Sequence, residues 1–111
     1  MAATSQPSST LAALEIMKAG GNALDAAIAA CAVQCVTEPG STGIGGDCFV
    51  LWQPKGAAKP IAYNGSGRAP AKAELAYFQN AGIKALDPRS AHVVTVPGAI
   101  DAWSALSRDH G

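Results

Sequence analysis

The apolar positions near the start of the chain follow the period of an α-helix. Three apolar side chains recur three residues apart and share one face: Leu11, Leu14 and Met17. A hydroxyl at Ser8 or Ser9 is the expected N-cap of this helix. Gly20 and Gly21 follow the last apolar residue, so we expect the helix to end there.

A second helix is predicted from the Asn22 cap to about Val36. Asp25 stands three residues after the cap, where its charge meets the positive end of the helix dipole. No charged residue lies between Asp25 and Glu38, yet about 14 helical residues span only about 21 Å, which is too short to cross a membrane. We therefore expect burial on nearly all sides, by more protein than this chain supplies.

The second half of the chain mixes short strands with helices. Residues 48–52 form a continuous apolar run that predicts a buried strand, with residues 61–64 as its antiparallel partner. Residues 71–80 predict a helix, residues 92–96 a third short strand, and residues 97–111 a last helix opened by Pro-Gly. Helices followed by mixed elements indicate an α+β architecture.

The composition is typical of part of a larger folded protein. Of the 111 residues, 49% are hydrophobic and 14% charged, against about 25% charged in an average domain. Eight basic residues balance eight acidic ones without a run of either sign, so no nucleic-acid or membrane partner is predicted. No signal peptide is predicted at the start of the chain, and removal of an earlier leader stays open.

The three cysteines are expected to pack as small apolar side chains rather than to bind a metal or take part in a reaction. Cys31, Cys35 and Cys48 form no CxxC pair and have no nearby histidine, so no metal site is predicted and no cofactor is expected. Cys31 and Cys35 share a helix face, where a metal or disulfide role is a rarer alternative to apolar packing. The odd number of thiols favours a reducing compartment, and we expect the cytoplasm.

Residues 39–46 (PGSTGIGG) form a glycine-rich loop that can be compared with phosphate-binding loops. A phosphate loop follows a strand, opens a helix and carries Lys-Ser/Thr after its last glycine. Here a helix is predicted before the loop and a strand after it, and Gly46 is followed by Asp47. We therefore expect a sharp turn that lets another backbone or a small substrate approach, and no nucleotide site.

The residues alone assign no catalytic group in this chain. His92 and His110 are far apart and lack a carboxylate or cysteine at ligand spacing, so both are expected to be structural or exposed. A threonine nucleophile needs an adjacent base, classically its own free α-amine. None of the five threonines is the N-terminus of the chain: Thr4, Thr10, Thr37, Thr42 and Thr95. Arg68 is a cation in a glycine-bounded stretch, either solvated or a ligand contact.

Four motifs occur in the order and spacing of one enzyme family and span nearly the whole chain. They are GGNALDAA at 20–27, GIGG at 43–46, Arg68-Ala69-Pro70 and Val96-Pro97-Gly98. This combination resembles the start of the large subunit of γ-glutamyltransferases and related acylases, which are N-terminal nucleophile hydrolases. The resemblance implies that residues 1–111 are the N-terminal segment of that domain. It also implies a four-layer αββα sandwich that is incomplete in this chain.

The resemblance implies a nucleophile outside this chain. Family members cut themselves into a large and a small subunit, and the new N-terminal threonine of the small subunit attacks an amide carbonyl with its α-amine as base. The implied partners are a small amide or γ-glutamyl substrate, the rest of the large subunit and the small catalytic subunit. The chain alone is therefore expected to be inactive.

One departure from the family pattern bears on the substrate. γ-Glutamyltransferases usually carry Arg-x-x-Ala-Pro, whose arginine holds the α-carboxylate of the glutamyl group, whereas here Ser66 stands at that position. The resemblance therefore implies Arg68 as the substrate-binding residue, with Gly65 and Gly67 letting the backbone fold close to the substrate. Residues 66–70 resemble the acylase and oxamate amidohydrolase branch more closely, which favours amide hydrolysis over a glutathione substrate.

The competing interpretation is a folded interaction module without enzymatic activity. Such a module would dock a partner chain through the glycine-rich loop and the apolar helix. The two interpretations differ in what the gene encodes after Gly111. A continuation of several hundred residues into a threonine-containing junction favours the enzyme, and an immediate stop codon favours the module.

Overall fold

A computed structural model describes all 111 residues as a mixture of helices and one small antiparallel sheet. The four α-helices are α1 (Pro7–Lys18), α2 (Ala23–Thr37), α3 (Leu75–Asn80) and α4 (Ala99–His110). The two strands are β1 (Cys48–Trp52) and β2 (Ile61–Gly65), and a short 3₁₀ helix covers Ala91–Val93. The predicted α+β composition is confirmed.

Helix α1 begins earlier than its serines predict. Its first residue is Pro7 and its N-cap is Gln6, which makes no side-chain capping bond. The prediction that Ser8 or Ser9 caps this helix is wrong, because proline already has the helical φ and lacks the N–H that a cap would satisfy. Ser9 is instead fully buried within the helix. Gly20, with φ of 101°, ends the helix as predicted.

Helix α2 has the Asn22 cap that its sequence predicts, and Asp25 completes a capping box with it. The Leu24 and Asp25 N–H groups donate to Asn22 Oδ1 at 2.7 and 3.0 Å, and the Asn22 N–H donates to Asp25 Oδ2 at 3.1 Å. These bonds satisfy three of the donors that a helix start leaves open. The helix packs against α1 through a small core of alanines: Ala13, Ala26 and Ala30.

The surroundings of α2 differ between its two sides. Ala26 and Ala30 are buried, whereas Ala27, Ala32 and Val36 are exposed, with Val36 81% exposed. Burial on nearly all sides is therefore not reached within residues 1–111 and stays a prediction for the longer protein. None of the helices combines the length and the apolar character needed to span a bilayer.

Strands β1 and β2 form the predicted antiparallel hairpin. Cys48 pairs with Gly65 at one end and Trp52 with Ile61 at the other. Side chains alternate between the two faces, and only the face with Cys48 and Trp52 packs toward α4. On the other face Phe49 and Leu51 are 69% and 75% exposed. The buried strand of the prediction is thus covered on one face only.

Helix α4 joins the helical half of the chain to the hairpin. It contacts α2 and both strands, and it buries Ala99, Ala102 and Leu106. Its N-cap, Gly98, has no side chain to cap with. The Gly46 carbonyl replaces the cap by accepting from the Gly98 and Ala99 N–H groups at 3.1 and 3.0 Å. The predicted last helix is confirmed, and its cap comes from a distant loop.

The stretch between β2 and α4 departs most from the prediction. Helix α3 begins at Leu75, because residues 71–72 turn back on Pro70, whose carbonyl accepts from the Ala73 N–H at 2.8 Å. The predicted third strand at 92–96 is wrong. That stretch starts in the 3₁₀ helix, and of its N–H groups only that of Val96 bonds to another segment. The Tyr77, Phe78 and His92 rings pack together here instead.

Candidate functional site

Arg68 lies in an open groove between the end of β2 and the start of α4. The groove is walled by residues 63–68 on one side and by residues 96–98 with Asp101 on the other. Its volume is about 390 Å³, which is within the range of sites for small molecules. Two chain segments that are separated in sequence thus form the walls of one site.

Glycines allow these two segments to touch. A Cβ on Gly67 would overlap the Val96 carbonyl oxygen, and a Cβ on Gly98 would overlap the Gly65 carbonyl oxygen. A Cβ on Gly65 would stand 2.5 Å from the Ala102 Cβ. Gly65 and Gly67 were expected to bring the backbone close to a substrate. That expectation stays a prediction, and within this chain their missing side chains admit the neighbouring segments.

Asp47 ties the two walls of the groove together. Its Oδ1 atom accepts from the Gly67 N–H at 3.1 Å and from the Thr95 hydroxyl at 2.9 Å. Beside these bonds, the Val96 N–H donates to the Arg68 carbonyl oxygen at 2.9 Å. Hydrogen bonds thus fix the backbone at Gly67, just before Arg68, and at the carbonyl of Arg68. Sequence reasoning missed this role of Asp47, although its position after Gly46 already distinguished the loop from a phosphate loop.

The Arg68 guanidinium is free to meet a ligand. Its side chain is exposed and makes no hydrogen bond or ion pair. The two ion pairs of the structure lie elsewhere, between Lys18 and Glu15 and between Arg108 and Asp109. An unpaired guanidinium presents a planar donor fork that matches a carboxylate.

Asp101 adds the opposite charge to the groove. It stands in the first turn of α4 and lines the groove together with Arg68. Sequence reasoning missed this residue too, although an acidic side chain in the first turn of a predicted helix was a visible signal. The groove therefore offers one cationic and one anionic side chain to a bound molecule.

The glycine-rich loop lies apart from the crossing of the two segments. The order of helix, loop and strand around it is confirmed. A Cβ on Gly40, Gly43 or Gly45 would meet no atom within 4 Å. The expected approach of another backbone is therefore absent at these three glycines, and the approach of a small substrate stays a prediction. Only Gly46 reaches other elements, through the carbonyl that caps α4.

The remaining candidate residues take structural positions. All three cysteines are unpaired. Burial raises the pKa of the Cys31 and Cys48 thiols, so these two thiols are poor nucleophiles near neutral pH. His110 packs against Trp52, with ring centroids 4.7 Å apart, and His92 packs against Tyr77 and Phe78. No three His, Cys, Asp or Glu side chains gather as a metal-binding group.

Comparison with known proteins identifies relatives over almost the whole chain. The sequence model of a family described as gamma-glutamyltranspeptidase matches residues 9–111. The chain is 37% identical over 97 residues to the glutathione hydrolase-like YwrD proenzyme of Bacillus subtilis, with 86% of this chain covered. It is 39% identical over 101 residues to the oxamate amidohydrolase proenzyme of Klebsiella pneumoniae, with 87% covered.

The structure agrees with the sequence comparisons. The fold superposes on the γ-glutamyltranspeptidase of Helicobacter pylori with a TM-score of 0.84 and 25% identity, covering all of this chain and 32% of that one. The chain spans 18% and 19% of the lengths of the two curated relatives, and it matches their N-terminal part. Residues 1–111 therefore represent a small part of a much larger fold.

Proposed function

Because this chain belongs to the gamma-glutamyltranspeptidase family, we propose that it is the N-terminal part of an amidase that cleaves a γ-glutamyl or small acyl amide bond. Its fold is a part of the N-terminal nucleophile hydrolase fold. Its contribution to the activity is the groove that carries Arg68. The exposed, unpaired guanidinium in that groove is the observation that carries this proposal.

The nucleophile in this proposal is a threonine outside residues 1–111. The enzyme would be made as a precursor and cut itself, and the names of both curated relatives call those proteins proenzymes. The hydroxyl of the freed threonine attacks the amide carbonyl while its α-amine takes the proton. Backbone N–H groups stabilise the oxyanion, and the acyl-enzyme passes to water or to an amine. No step in this scheme needs a metal or a cofactor.

The role of Arg68 is to fix the acyl donor. A donor that carries a carboxylate can be oriented by the guanidinium fork so that its amide carbonyl meets the threonine. A charge-assisted contact of this kind contributes roughly 1.5 to 3 kcal/mol. We propose that a compact amide is preferred over a γ-glutamyl donor, because Arg68 stands two residues closer to Ala69-Pro70 than the family arginine does.

The surfaces left open indicate where the rest of the protein packs. Val36 of α2 and Phe49 and Leu51 of the hairpin are large apolar side chains that stay exposed in residues 1–111. Such surfaces are typical of a segment cut from a larger core. We propose that the remaining large-subunit segment and the small subunit cover them. The alternative of a docking module without activity has less support, because residues 9–111 match an enzyme family.

The unpaired cysteines support a location for the protein. Cys31, Cys35 and Cys48 are all free, which suits a reducing compartment because exposure to oxidants favours disulfides. We propose the cytoplasm.

The test of Arg68 uses the full-length, self-cleaved enzyme. Arg68→Ala should lower kcat/KM for a carboxylate-bearing anilide by roughly ten- to a hundredfold, as expected for loss of a charge-assisted contact. Uncharged acyl anilides should suffer much less, and self-cleavage should continue. Arg89→Ala is the matched control, because Arg89 is an exposed arginine that does not line the groove. Equal loss on charged and uncharged donors, or failure to self-cleave, would show that Arg68 is structural.

Two further assays separate the alternatives. The isolated 111-residue chain should show no turnover of anilides above the buffer rate, since no threonine in it has a free α-amine. Turnover by the isolated chain would contradict the proposal that the nucleophile lies outside residues 1–111.

In the wild-type enzyme, a short oxo-acid amide should be hydrolysed with a higher kcat/KM than a γ-glutamyl anilide. The reverse order would favour a glutamyl donor.

A further inference from the structure

We infer that Asp47 is a positioning residue for substrate binding, acting through the backbone of Arg68. This inference rests on the proposed role of Arg68 as the anchor of the donor carboxylate. Asp47 stands outside the groove walls and does not line the groove. Its effect on a substrate would therefore pass through the segments that it holds.

The hydrogen bonds around Asp47 form a closed frame. One carboxylate oxygen, Oδ1, accepts both the Gly67 N–H and the Thr95 hydroxyl. Gly67 precedes Arg68 directly, and Thr95 precedes Val96, whose N–H donates to the Arg68 carbonyl. Asp47 thus fixes the N–H of the residue before Arg68, and Val96 on the opposite wall fixes the carbonyl of Arg68 itself.

The Gly67 segment cannot hold itself in place. Gly65 and Gly67 have no side chains to restrict the backbone, and glycine has the largest conformational freedom in an unrestrained chain. The overlap that any Cβ at Gly67 would have with Val96 shows how closely the two walls must meet. A bond to an ionised acceptor is stronger than one between neutral groups. A carboxylate at position 47 therefore suits the task of holding a glycine-flanked arginine.

Asp47 also sits where a third segment is fixed. The carbonyl of the preceding residue, Gly46, accepts from the N–H groups of Gly98, which is the N-cap of α4, and of Ala99, which is its first residue. The dipeptide 46–47 therefore connects the start of α4, the Thr95 segment and the Arg68 segment. The junction therefore joins the backbone segment of Arg68 to the helix that carries Asp101, and both residues line the groove.

The test is a set of variants in the full-length, self-cleaved enzyme, assayed with a carboxylate-bearing anilide and an uncharged acyl anilide. Asp47→Ala should raise KM for the charged donor about five- to tenfold and change kcat less than about twofold, because the anchor becomes less well ordered. The uncharged donor should keep its KM. Asp47→Asn retains an oxygen acceptor and should recover most of the affinity. Asp109→Ala is the matched control, an exposed aspartate at the far end of α4.

The double variant with Arg68→Ala decides between positioning and general stability. If Asp47 acts through Arg68, then Asp47→Ala should have no further effect on KM once the arginine is gone. An undiminished effect in that background, or equal loss on both donors, would overturn the inference. Should Arg68→Ala alone fail to discriminate between the donors, the proposed function fails and this inference falls with it. That single variant therefore tells the two failures apart.

A second pair of variants covers the case in which Asp47→Ala does not fold. Thr95→Val removes one of the two hydrogen bonds to Asp47, whereas Thr95→Ser keeps the hydroxyl. Thr95→Val should raise KM for the charged donor about two- to threefold, as expected for loss of one of the two hydrogen bonds to Asp47. Thr95→Ser should have the KM of the wild type. No difference between valine and serine at this position would count against the frame.

Discussion

The chain contains two glycine-bearing regions that behave in opposite ways. The loop at 39–46 is the densest glycine cluster in the sequence, yet a side chain on Gly40, Gly43 or Gly45 would meet only open space. The crossing of residues 65–67 with residues 96–98 uses three scattered glycines, and a Cβ on any of them would collide with a neighbouring segment. The density of glycine in a sequence therefore does not show where glycine is needed.

The reason is that glycine serves two separate purposes. In a loop, glycine lowers the conformational energy of a tight turn. Other residues can form the same turn where φ is negative. No glycine of the 39–46 loop has a positive φ. At a crossing, glycine removes the Cβ that would keep two backbones apart, and no other residue can do that. The two regions should therefore respond very differently to alanine.

The largest effect is expected for Gly67→Ala. The added Cβ would overlap the Val96 carbonyl, a backbone group that also lies next to the Asp47 frame, so the segments must separate. We expect a loss of about 3 kcal/mol or more, at the upper end of the cost of overpacking. The melting temperature and soluble yield of the full-length protein measure this loss. A variant as stable as the wild type would show that the two segments do not cross this closely.

A smaller effect is expected for Gly65→Ala. The new Cβ would meet the Ala102 Cβ at 2.5 Å and the Cys48 carbonyl at 2.8 Å. A cost of about 1 to 3 kcal/mol is expected, since α4 can shift slightly away. Ala102→Gly in the same protein should remove part of that cost, so the double variant should be more stable than the sum of the single changes predicts. Strict additivity in thermal unfolding would place Gly65 away from α4.

The smallest effect is expected in the loop. Gly45→Ala adds a methyl group to open space at a residue without a positive φ. Its stability should change by less than about 0.5 kcal/mol, or rise slightly through the unfolded state. The same melting experiment checks this result, with Gly43→Ala as a second sample of the loop. A loss as large as that of Gly65→Ala would mean that the rest of the protein packs against the loop.

Arg68 shows how far the sequence could lead toward the site. Its place between Gly67 and Ala69-Pro70 and its resemblance to the family motif selected it as the expected substrate contact. Arg68 lies in an open groove, and its role there stays a proposal. Asp47, Thr95 and Asp101 could not be joined to it from the sequence. Thr95 lies 48 residues from Asp47, and no spacing pattern connects residues across such a distance.

The sequence by itself determined the parts of this protein whose causes are local. The N-cap of α2, the glycine stop of α1, the apolar run of β1 and the amphipathic α4 each depend on residues within a few positions of one another. Family membership also followed from motifs that are short and ordered along the chain. The cap residues and the apolar periodicity are patterns among neighbouring residues, so they can be recognised in the sequence without knowing its final shape.

Only the tertiary structure decided how distant segments meet. The Gly46 carbonyl caps α4, Asp47 joins Gly67 to Thr95, and the expected strand at 92–96 pairs with neither strand of the sheet. Each of these outcomes depends on which backbone groups packing brings within about 3 Å of one another. A buried or crossing N–H must find an acceptor wherever one lies, and that acceptor is set by the arrangement of whole elements.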